Sequence, residues 1–342
     1  MKVVIMAGGK GMRFWPRSVE ERPKQFLALT SHESMLQQTY HRFCKHMDPS
    51  DIYIVTGSTY VSLVQEQLPS LQPECLIIEP EQRDTGPSLA LTARYFLQQQ
   101  LDDVLVTTPS DQYIPDDDAL MEALLEAEQI AKQGESIVTL GIMPTRPETG
   151  YGYIQAASTP AVGQAKRVLK FVEKPNEERA KELMLETNMY WNSGIFIWKP
   201  STIDNNMKRF QPDMWGTLWS ADASFDEVYA ALPKISVDYA ILEKAESVYT
   251  IPVHFVWDDV GSWTSLERIY PKDEHGNLAL GKVHTLDTSN SIVYTEHQKV
   301  VVIGVEDLII VSTKSGLLVC RKADEQKIKM AVNLMESDSP TS

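Results

Sequence analysis

The 342-residue sequence has little cysteine, no long apolar run and a shortage of positive charge, and each lack narrows the class of protein. Its three cysteines, Cys44, Cys75 and Cys320, are widely spaced and form no CxxC pair. That spacing suggests neither a disulfide framework nor a structural zinc site. The apolar run at 3–7 is shorter than a signal-peptide core, and no run approaches the roughly 20 apolar residues of a membrane span. We therefore expect a cytoplasmic protein without a membrane partner.

Charge is distributed unevenly along the chain. Lys and Arg total 32 against 47 Asp and Glu, and the net charge of -15 argues against a protein that grips nucleic acid with its whole surface. Residues 1–25 reverse this balance, because six Lys and Arg stand there against two Glu. The amino-terminal segment therefore offers a local basic site for an anionic ligand.

Short runs rich in Val and Ile alternate with segments of helical periodicity in the first part of the chain. The runs lie at 3–6, 52–55, 76–78 and 104–106. Between them, Ser34 and Pro87 stand where a helix cap and a first-turn proline belong. The alternation predicts an α/β fold with a Rossmann-like, mostly parallel mixed sheet flanked by helices. Ligands of such sheets collect outside the carboxyl ends of the strands.

The pattern becomes mixed after residue 135, and short strands dominate after residue 271. A helical segment near 324–335 closes the ordered part. We predict a catalytic domain over 1–270, a small β-rich, β-helix-like C-terminal domain over 271–336 and a disordered tail over 337–342.

A glycine-rich segment directly follows the first strand, where residues 7–16 read AGGKGMRFWP. Three glycines let the backbone approach a phosphate closely, namely Gly8, Gly9 and Gly11. Lys10 and Arg13 offset the phosphate charge, and Lys24 adds a further cation. A flexible strand-to-helix turn is the alternative interpretation. The segment lacks the end of a Walker A loop, and Phe14 occupies the last glycine position of the dinucleotide fingerprint. These differences disfavour a P-loop NTPase and a plain dehydrogenase.

Two aspartates from distant segments are candidate metal ligands. Asp111 follows the strand near 104–107, and Asp259 lies in a turn between Trp257 and Trp263. Carboxylates suit a hard divalent cation that bridges phosphate oxygens. The alternative is that these aspartates cap helices while the tryptophans pack in the core, and we expect the acidic run at 116–118 to be such a helix start.

Three segments between residues 148 and 196 join strands to carboxylate, amide and aromatic groups. They lie at 148–154, 171–175 and 191–196. This mixture is typical of sites that bind a polyhydroxylated ring, and Lys174 adds a cation for a sugar phosphate. A surface ion pair at 173–174 and a sheet bend at 151–153 are the alternative interpretations.

Taken in order, these segments resemble the nucleotide-sugar pyrophosphorylase family, and most closely its short, monofunctional mannose-1-phosphate guanylyltransferases. The similarity runs from residue 1 to about 321. It implies the nucleotide-diphospho-sugar transferase fold and a Mg²⁺-dependent enzyme that joins mannose 1-phosphate to GTP and releases pyrophosphate. No covalent enzyme intermediate and no general base are implied, because the attacking phosphate oxygen is already an anion.

The resemblance also implies roles for individual residues. The triphosphate is expected on the loop Gly8, Gly9 and Gly11, with Arg13 and Lys24 on its phosphates. Magnesium ligands are expected at Asp111 and Asp259. The sugar and its phosphate are expected at Gly150, Tyr151, Glu173, Asn192 and Lys174. Further substrate contacts are expected at Arg83, Asp84, Thr85 and Ser110.

The choice of guanosine and mannose rests on the narrower stretches 13–18, 79–87 and 257–263. Three residues depart from the usual pattern of that branch. Asp84 stands in place of an asparagine, Gln112 in place of a histidine, and Asp258 in place of a small polar residue. The early end of the chain predicts that no isomerase domain follows, and a homodimer is a further expectation of the resemblance.

Three other functions stay open. The first is a related sugar-1-phosphate nucleotidyltransferase with another base or sugar. The second is a glycosyltransferase, which typically carries Asp-x-Asp where this chain has Ser110-Asp111-Gln112. The third is a non-catalytic nucleotide-sugar sensor, which would have little need for both Asp111 and Asp259. The substrate partners expected are small molecules, and nucleic acid is not among them.

Overall fold

The structure, a computed structural model, describes residues 1–9, 11–220 and 224–337 and contains two compact units. Unit 1 consists of Met1–Gly8, Thr39–Ser110 and Ile114–Trp257. Unit 2 consists of Gly9–Gln38, Asp111–Tyr113 and the chain from Asp258. Both units are assembled from separate segments, so this grouping differs from a division into 1–270 and 271–336, which stays a prediction. Residue 337 ends a helix, whereas Lys10 and 338–342 lie outside the described residues.

Unit 1 is built on a nine-stranded sheet. Its strands are β1 Lys2–Met6, β2 Ile52–Gly57, β3 Leu76–Glu79, β4 Leu105–Pro109, β5 Ile137–Ile142, β6 Tyr153–Val162, β7 Ala165–Val172, β8 Met189–Trp198 and β9 Val248–Val253. Their order is β3-β2-β1-β4-β8-β5-β9-β7-β6. Strands β3, β2, β1 and β4 are parallel neighbours, and β8 runs antiparallel to β4 and β5. The residues that follow β1, β3 and β4 therefore leave the sheet at the same edge.

Helices flank this sheet and share its core. They are α1 Met35–Cys44, α2 Val61–Gln67, α3 Thr85–Gln98, α4 Asp117–Ala131, α5 Glu177–Leu185, α6 Pro200–Phe210, α7 Pro212–Leu218 and α8 Phe225–Ala230. One apolar cluster joins Phe96 of α3, Met207 of α6 and Trp215 of α7 to strand residues such as Val55. Burial of these apolar faces is the main stabilising contribution to the unit.

Two predicted helix starts are confirmed. Ser34 Oγ accepts a hydrogen bond from the Gln37 backbone N–H at 3.1 Å, which caps α1. Asp116 Oδ1 accepts from the Ala119 N–H at 3.0 Å at the start of α4. The acidic run at 116–118 is thus a helix start, where negative charge is favourable.

The C-terminal part of unit 2 is a coil of short strands, all paired in parallel except the last, which runs antiparallel to the strand before it. These are β10 Leu278–Leu280, β11 Val283–Leu286, β12 Ile292–Thr295, β13 Val300–Ile303, β14 Leu308–Ser312 and β15 Leu317–Arg321, followed by α9 Ile328–Ser337. Strands β10, β12 and β14 stack in parallel, so that Leu278, Ile292 and Ile309 lie in register and are fully buried. A column of equivalent apolar positions of this kind is typical of β-helix rungs.

The amino-terminal segment of unit 2 belongs to the same core as these rungs. Phe14 and Leu27 are buried in one cluster with Ile292 and Trp263. The Trp263 ring lies 5.2 Å from that of Phe14, and its Nε1–H donates to the Trp15 carbonyl oxygen at 3.2 Å. Residues that flank the glycine-rich loop are thereby anchored by segments far away in sequence.

These observations confirm the predicted fold class, an α/β unit with a mixed sheet and a small β-helix-like C-terminal segment. Every antiparallel pair of this sheet involves β6, β7 or β8, and β8 lies between the parallel groups β3-β2-β1-β4 and β5-β9. Within 1–9, 11–220 and 224–337, helices long and apolar enough to cross a membrane are absent.

Candidate functional site

The glycine-rich loop is shaped by close contacts on either side of it. A Cβ at Gly8 would lie 2.9 Å from Glu79 Oε2, and a Cβ at Gly11 would lie 2.7 Å from the Lys24 Cβ. Gly11 also has a φ of +38°, which favours glycine. The loop therefore needs glycine at both positions for its backbone to pass so close to polar side chains.

Two glutamine side chains bind the carbonyl oxygens of this loop. Gln82 Nε2 donates to the Gly8 oxygen, and Gln25 Nε2 donates to the Gly9 oxygen at 2.7 Å. In a trans peptide the next N–H points opposite to the carbonyl, so the Gly9 N–H points away from Gln82. An N–H turned outward from a glycine backbone is the kind of group that binds a phosphate oxygen.

Lys24 connects both candidate metal ligands within unit 2. Its side chain is buried, its Nζ lies 2.8 Å from Asp111 Oδ2, and the same ammonium donates to the Asp259 carbonyl oxygen. Three residues that are remote in sequence therefore meet at one cation. The contacts of Lys24 with Asp111 and Asp259 were not predicted from the sequence, from which this lysine was expected to bind phosphate alone.

Arg13 lies in the single 3-10 turn Met12–Phe14 that follows Gly11. Its side chain is exposed, whereas the next residue, Phe14, is completely buried. Burial of Phe14 fixes the backbone of this turn and leaves the guanidinium on the loop surface. That placement is compatible with the predicted phosphate contact, which stays a prediction.

The turn at 257–263 settles two of the alternatives left open by the sequence. Ser262, not Asp259, caps the 3-10 helix Trp263–Arg268 through a capping box with Ser265. The interpretation of Asp259 as a cap of that helix is therefore wrong, and the packing of Trp263 in the core is confirmed. Asp258 accepts from Arg268 Nη2 at 2.9 Å and from the Val260 N–H at 2.9 Å, which accounts for a carboxylate at this position.

Within unit 1, the predicted sugar contacts gather around Gly152. A Cβ there would lie 2.7 Å from Glu173 Oε2 and 3.5 Å from the Asn192 Cβ. The Asn192 N–H donates to the Gly152 carbonyl oxygen at 2.8 Å. Lys174, with a φ of +41°, turns its ammonium back onto Glu173 and is largely exposed. Carboxylate, amide and ammonium groups thus meet beside a glycine that leaves room for them.

Gly150 and Tyr151 are engaged with the protein itself. The Gly150 N–H, expected on the sugar, donates to Glu148 Oε1 at 3.1 Å, because that side chain turns back over the loop. The Tyr151 ring is buried 5.1 Å from both Trp191 and Trp257. Tyr151 thus packs in an aromatic cluster, and its predicted sugar contact stays a prediction.

The remaining predicted contacts also have protein partners. Arg83 Nη2 donates to Glu81 Oε2 at 2.8 Å. Asp84 caps α3 by accepting from the Thr85 N–H at 2.7 Å, and Thr85 Oγ1 accepts from the Val237 N–H at 2.9 Å. Ser110 is buried, and its carbonyl oxygen accepts from Thr39 Oγ1 at 3.1 Å. These contacts position backbone segments, and the substrate roles of all four residues stay predictions.

Two carboxyl groups were missed by the sequence analysis, the partly buried Asp238 and the buried Glu79. Asp238 accepts from Asn192 Nδ2 at 3.1 Å, and burial together with the charge of Glu173 raises its pKa to about 6. Glu79 accepts from the Tyr229 hydroxyl at 2.6 Å, and burial raises its pKa above the usual range. A carboxyl residue inside an apolar run, as in the sequence SVDYAIL at 236–242, was the available signal for Asp238.

Comparison with known proteins decides the family. Residues 2–276 match the family described as Nucleotidyl transferase, and residues 281–334 match the MannoseP isomerase/GMP-like beta-helix domain. The chain belongs to the nucleotidyl transferase family. The predicted family resemblance and enzyme class are thereby confirmed, and the junction of the two matches falls at 277–280.

Relatives of this nucleotidyl transferase extend over almost the whole chain. The Mannose-1-phosphate guanylyltransferase 2 of Escherichia coli O157:H7 is 37% identical over 99% of the chain and 74% of that protein. The Alginate biosynthesis protein AlgA of Pseudomonas fluorescens is 36% identical over 97% of the chain and 71% of that protein. A crystal structure described as mannose-1-phosphate geranyltransferase from Thermus thermophilus is 35% identical, covers 98% of this chain and 99% of that one, and has a TM-score of 0.88.

Nucleotidyl transferases of this family generally use a divalent metal ion. In the part of the chain that the structure describes, clusters of three or more His, Cys, Asp or Glu suited to a metal are absent. Asp111 and Asp259 are nevertheless a fitting pair, because magnesium is usually bound by one or two carboxylates together with substrate phosphates and waters. The ammonium held by Asp111 shows that this position attracts a cation.

Proposed function

We propose that this nucleotidyl transferase joins α-D-mannose 1-phosphate to GTP, forming GDP-mannose and pyrophosphate. The main support for the proposal is that the Lys24 ammonium pairs with the Asp111 carboxylate and also donates to the Asp259 carbonyl oxygen. A nucleotide triphosphate needs both cationic and metal-binding groups, and this unit supplies them beside a glycine loop. The name of the 37% identical relative, Mannose-1-phosphate guanylyltransferase 2, favours guanosine and mannose over other substrates.

The reaction proceeds by in-line displacement at the α-phosphorus of GTP. A phosphate oxygen of the sugar phosphate forms the new P–O bond, the bond to the β-phosphate oxygen breaks, and pyrophosphate leaves with the electron pair. The nucleophile is already an anion, so the proposal assigns no side chain as general base. The protein contributes alignment and offsets charge, as in other phosphoryl-transfer enzymes.

Each substrate has its own set of side chains in this proposal. Arg13 and Lys24 offset the charge of the triphosphate, which lies on the backbone of the glycine-rich loop. Lys174 offsets the charge of the sugar phosphate, and Glu173 and Asn192 bind the sugar hydroxyls. Asp111 and Asp259 would hold the ion, Mg²⁺, which when bound would stabilise charge on the phosphate oxygens.

A related sugar-1-phosphate nucleotidyltransferase with another base or sugar is the second candidate. It is favoured by Asp84, which stands where the guanosine branch usually has asparagine and which caps α3 through the Thr85 N–H. A change of residue at a predicted base-binding stretch is the kind of difference that alters base preference. The cytoplasmic location and the homodimer are part of the same proposal.

A substrate panel tests the proposal directly. The purified chain is incubated with each of the common nucleoside triphosphates and with mannose, glucose and N-acetylglucosamine 1-phosphates, with and without Mg²⁺, and pyrophosphate release is measured. We expect GTP with mannose 1-phosphate to give the highest kcat/KM and EDTA to abolish turnover. Preference for another pair would support the second candidate, and the absence of pyrophosphate release with every pair would contradict the proposal.

A further inference from the structure

Asp238 is a partly buried carboxyl residue that the proposed mechanism does not use. It begins the π-helical turn Asp238–Leu242, in which the last three residues are buried and Tyr239 is exposed. Removing a carboxyl group from water costs free energy unless the group is hydrogen-bonded, so Asp238 needs a partner. Its hydrogen-bond donor is Asn192, through Nδ2 at 3.1 Å.

The segment that carries Asp238 is held firmly by the first turn of α3. The Val237 N–H donates to Thr85 Oγ1 at 2.9 Å, and the Gly86 N–H donates to the Ile235 carbonyl oxygen at 2.9 Å. A Cβ at Gly86 would lie only 2.7 Å from that oxygen. The position of the Asp238 carboxyl group is therefore set by the backbone, not by a flexible loop.

Asp238 determines which way the Asn192 amide faces. Asn192 Oδ1 accepts from the Gly194 N–H at 3.1 Å, while Nδ2 donates to Asp238. A flipped amide would place its oxygen against a carboxylate oxygen and its NH₂ group against the Gly194 N–H, and both contacts are repulsive. An ionised Asp238 accepts only, so it locks this orientation, and the second N–H of Nδ2 remains as the donor that Asn192 can offer.

The same cluster contains the other sugar contacts of the proposed function. Glu173 and Asn192 both approach Gly152, and Lys174 pairs with Glu173. The charged groups that act on Asp238 are Glu173 and Glu243, which disfavour its ionised form, and Lys174, which favours it. The state of Asp238 is thus coupled to the side chains expected to bind the sugar phosphate.

We propose that Asp238 is a positioning residue that orients the Asn192 amide as a hydrogen-bond donor for the sugar end of the sugar phosphate. It does not touch the reacting atoms. This inference rests on the proposed function only through the assignment of the cluster around Gly152 to the sugar. The ionised carboxylate gives a fixed donor, whereas the protonated form can donate to the amide oxygen and loosens the preference.

The test compares the wild type with Asp238→Asn, which is nearly isosteric with the protonated carboxyl group. KM for the sugar phosphate, KM for the nucleotide and kcat are measured between pH 5 and 8. We expect Asp238→Asn to raise the sugar-phosphate KM about tenfold at pH 8, the scale of one hydrogen bond to a charged group, with the nucleotide KM unchanged. The ratio of the sugar-phosphate KM of Asp238→Asn to that of the wild type should fall towards one at pH 5, where Asp238 of the wild type is protonated.

The comparison uses the ratio of mutant to wild-type KM because the sugar phosphate itself takes up a proton at about pH 6. That titration is common to both proteins and cancels in the ratio. Glu243→Gln is the matched control, since it removes an exposed carboxylate that also acts on Asp238 without changing the contact to Asn192. This control should leave the sugar-phosphate KM at pH 8 within about twofold of the wild type.

A double-mutant cycle with Asn192→Ala decides whether Asp238 acts through the amide. In the Asn192→Ala background, Asp238→Asn should have no further effect on the sugar-phosphate KM. Equal, pH-independent changes in both KM values, or an undiminished effect without Asn192, would overturn the inference. The kinetics use whichever sugar phosphate the wild type turns over, so a preference for another sugar contradicts the proposed substrate and not the role of Asp238.

Discussion

The two groups of candidate residues are held in place by different means. In unit 2, Lys24 meets Asp111 and the Asp259 backbone, and these residues come from loops and turns far apart in sequence. In unit 1, Glu173 directly follows β7 and Asn192 lies within β8, beside Gly152 and the partly buried carboxyl group of Asp238. The first group depends on charge to stay together, whereas the second depends on backbone pairing. Substitutions should therefore affect the first group through charge and the second through orientation.

The largest effect is expected from Asp111→Asn. This change keeps the size of the side chain but removes the carboxylate that pairs with Lys24 and would hold the metal ion. We expect kcat to fall roughly a hundredfold to a thousandfold, the range found when a preorganised electrostatic group is removed from an active site. Asp259→Asn should have an effect of the same order.

Steady-state kinetics at saturating Mg²⁺ measure this effect. Asp118→Asn is the control, because Asp118 is a highly exposed aspartate near the start of α4. It should retain the turnover of the wild type. Wild-type turnover in Asp111→Asn would instead contradict the metal assignment and the electrostatic description of this group.

A backbone change in the glycine-rich loop should have a smaller effect. Gly11→Ala places a Cβ 2.7 Å from that of Lys24 at a φ of +38°. We expect a loss of about 1–2 kcal/mol in the free energy of unfolding, the cost of a left-handed conformation for an L-residue. KM for GTP should rise about tenfold because the loop must shift away from its phosphate-binding position.

Gly9→Ala provides the contrast, because a Cβ there meets no other atom within 4 Å and the residue does not have a positive φ. Chemical denaturation should show no loss of stability for this variant. Equal stability of the two variants would mean that the contact between Gly11 and Lys24 does not constrain the loop.

Lys174→Ala tests the other group. Its ammonium is exposed and pairs with Glu173, so its removal costs little stability. We expect KM for mannose 1-phosphate to rise about tenfold with KM for GTP unchanged. Lys170→Ala, an exposed lysine on β7, is the control. A parallel rise in the GTP KM would show that the two groups do not divide the substrates as proposed.

For the first group, the sequence predicted which residue types bind phosphate but not which of these residues contact one another. Glycines and lysines after a strand indicate phosphate binding because backbone N–H groups and cations are what a phosphate needs. The pairing of Lys24 with Asp111 depends on a separation of 87 residues along the chain and on the burial of Phe14 and Trp263 in one core. Local patterns contain no information on such long-range contacts, so this pairing could not be predicted.

For the second group the sequence predicted the side chains but not the residue behind them. Glu173 and Asn192 stand in polar stretches at strand ends, where ligand contacts are common. Asp238 stands in an apolar run whose periodicity indicates only a buried helix. The position of Asp238 is fixed by hydrogen bonds between the segment at 235–238 and the first turn of α3, which is about 150 residues away in sequence. Tyr151 is a second example, because it packs between two tryptophans although the stretch that contains it is polar.

The last predicted effect concerns stability rather than turnover. Burial raises the pKa of Asp238 from its ordinary value of 3.8 to about 6, so the folded protein binds its proton more tightly than the unfolded chain does. The stability that this protonated group contributes is fully present below about pH 4 and is lost as pH rises through about 6. Asp238→Asn cannot ionise. We therefore expect it to match the wild type near pH 4 and to exceed it by roughly 2 to 3 kcal/mol at pH 8.

Urea unfolding of both proteins at pH 4.5 and pH 8 measures this difference, with Glu243→Gln as the exposed carboxylate control. A stability difference that does not grow with pH would contradict the raised pKa. If the difference grows while the sugar-phosphate KM of the same variant worsens at pH 8, then the buried charge lowers stability and improves binding at once. These opposite effects on stability and binding are expected of a positioning residue. The ionised Asp238 carboxylate orients the Asn192 amide, but the folded protein would be more stable without that charge.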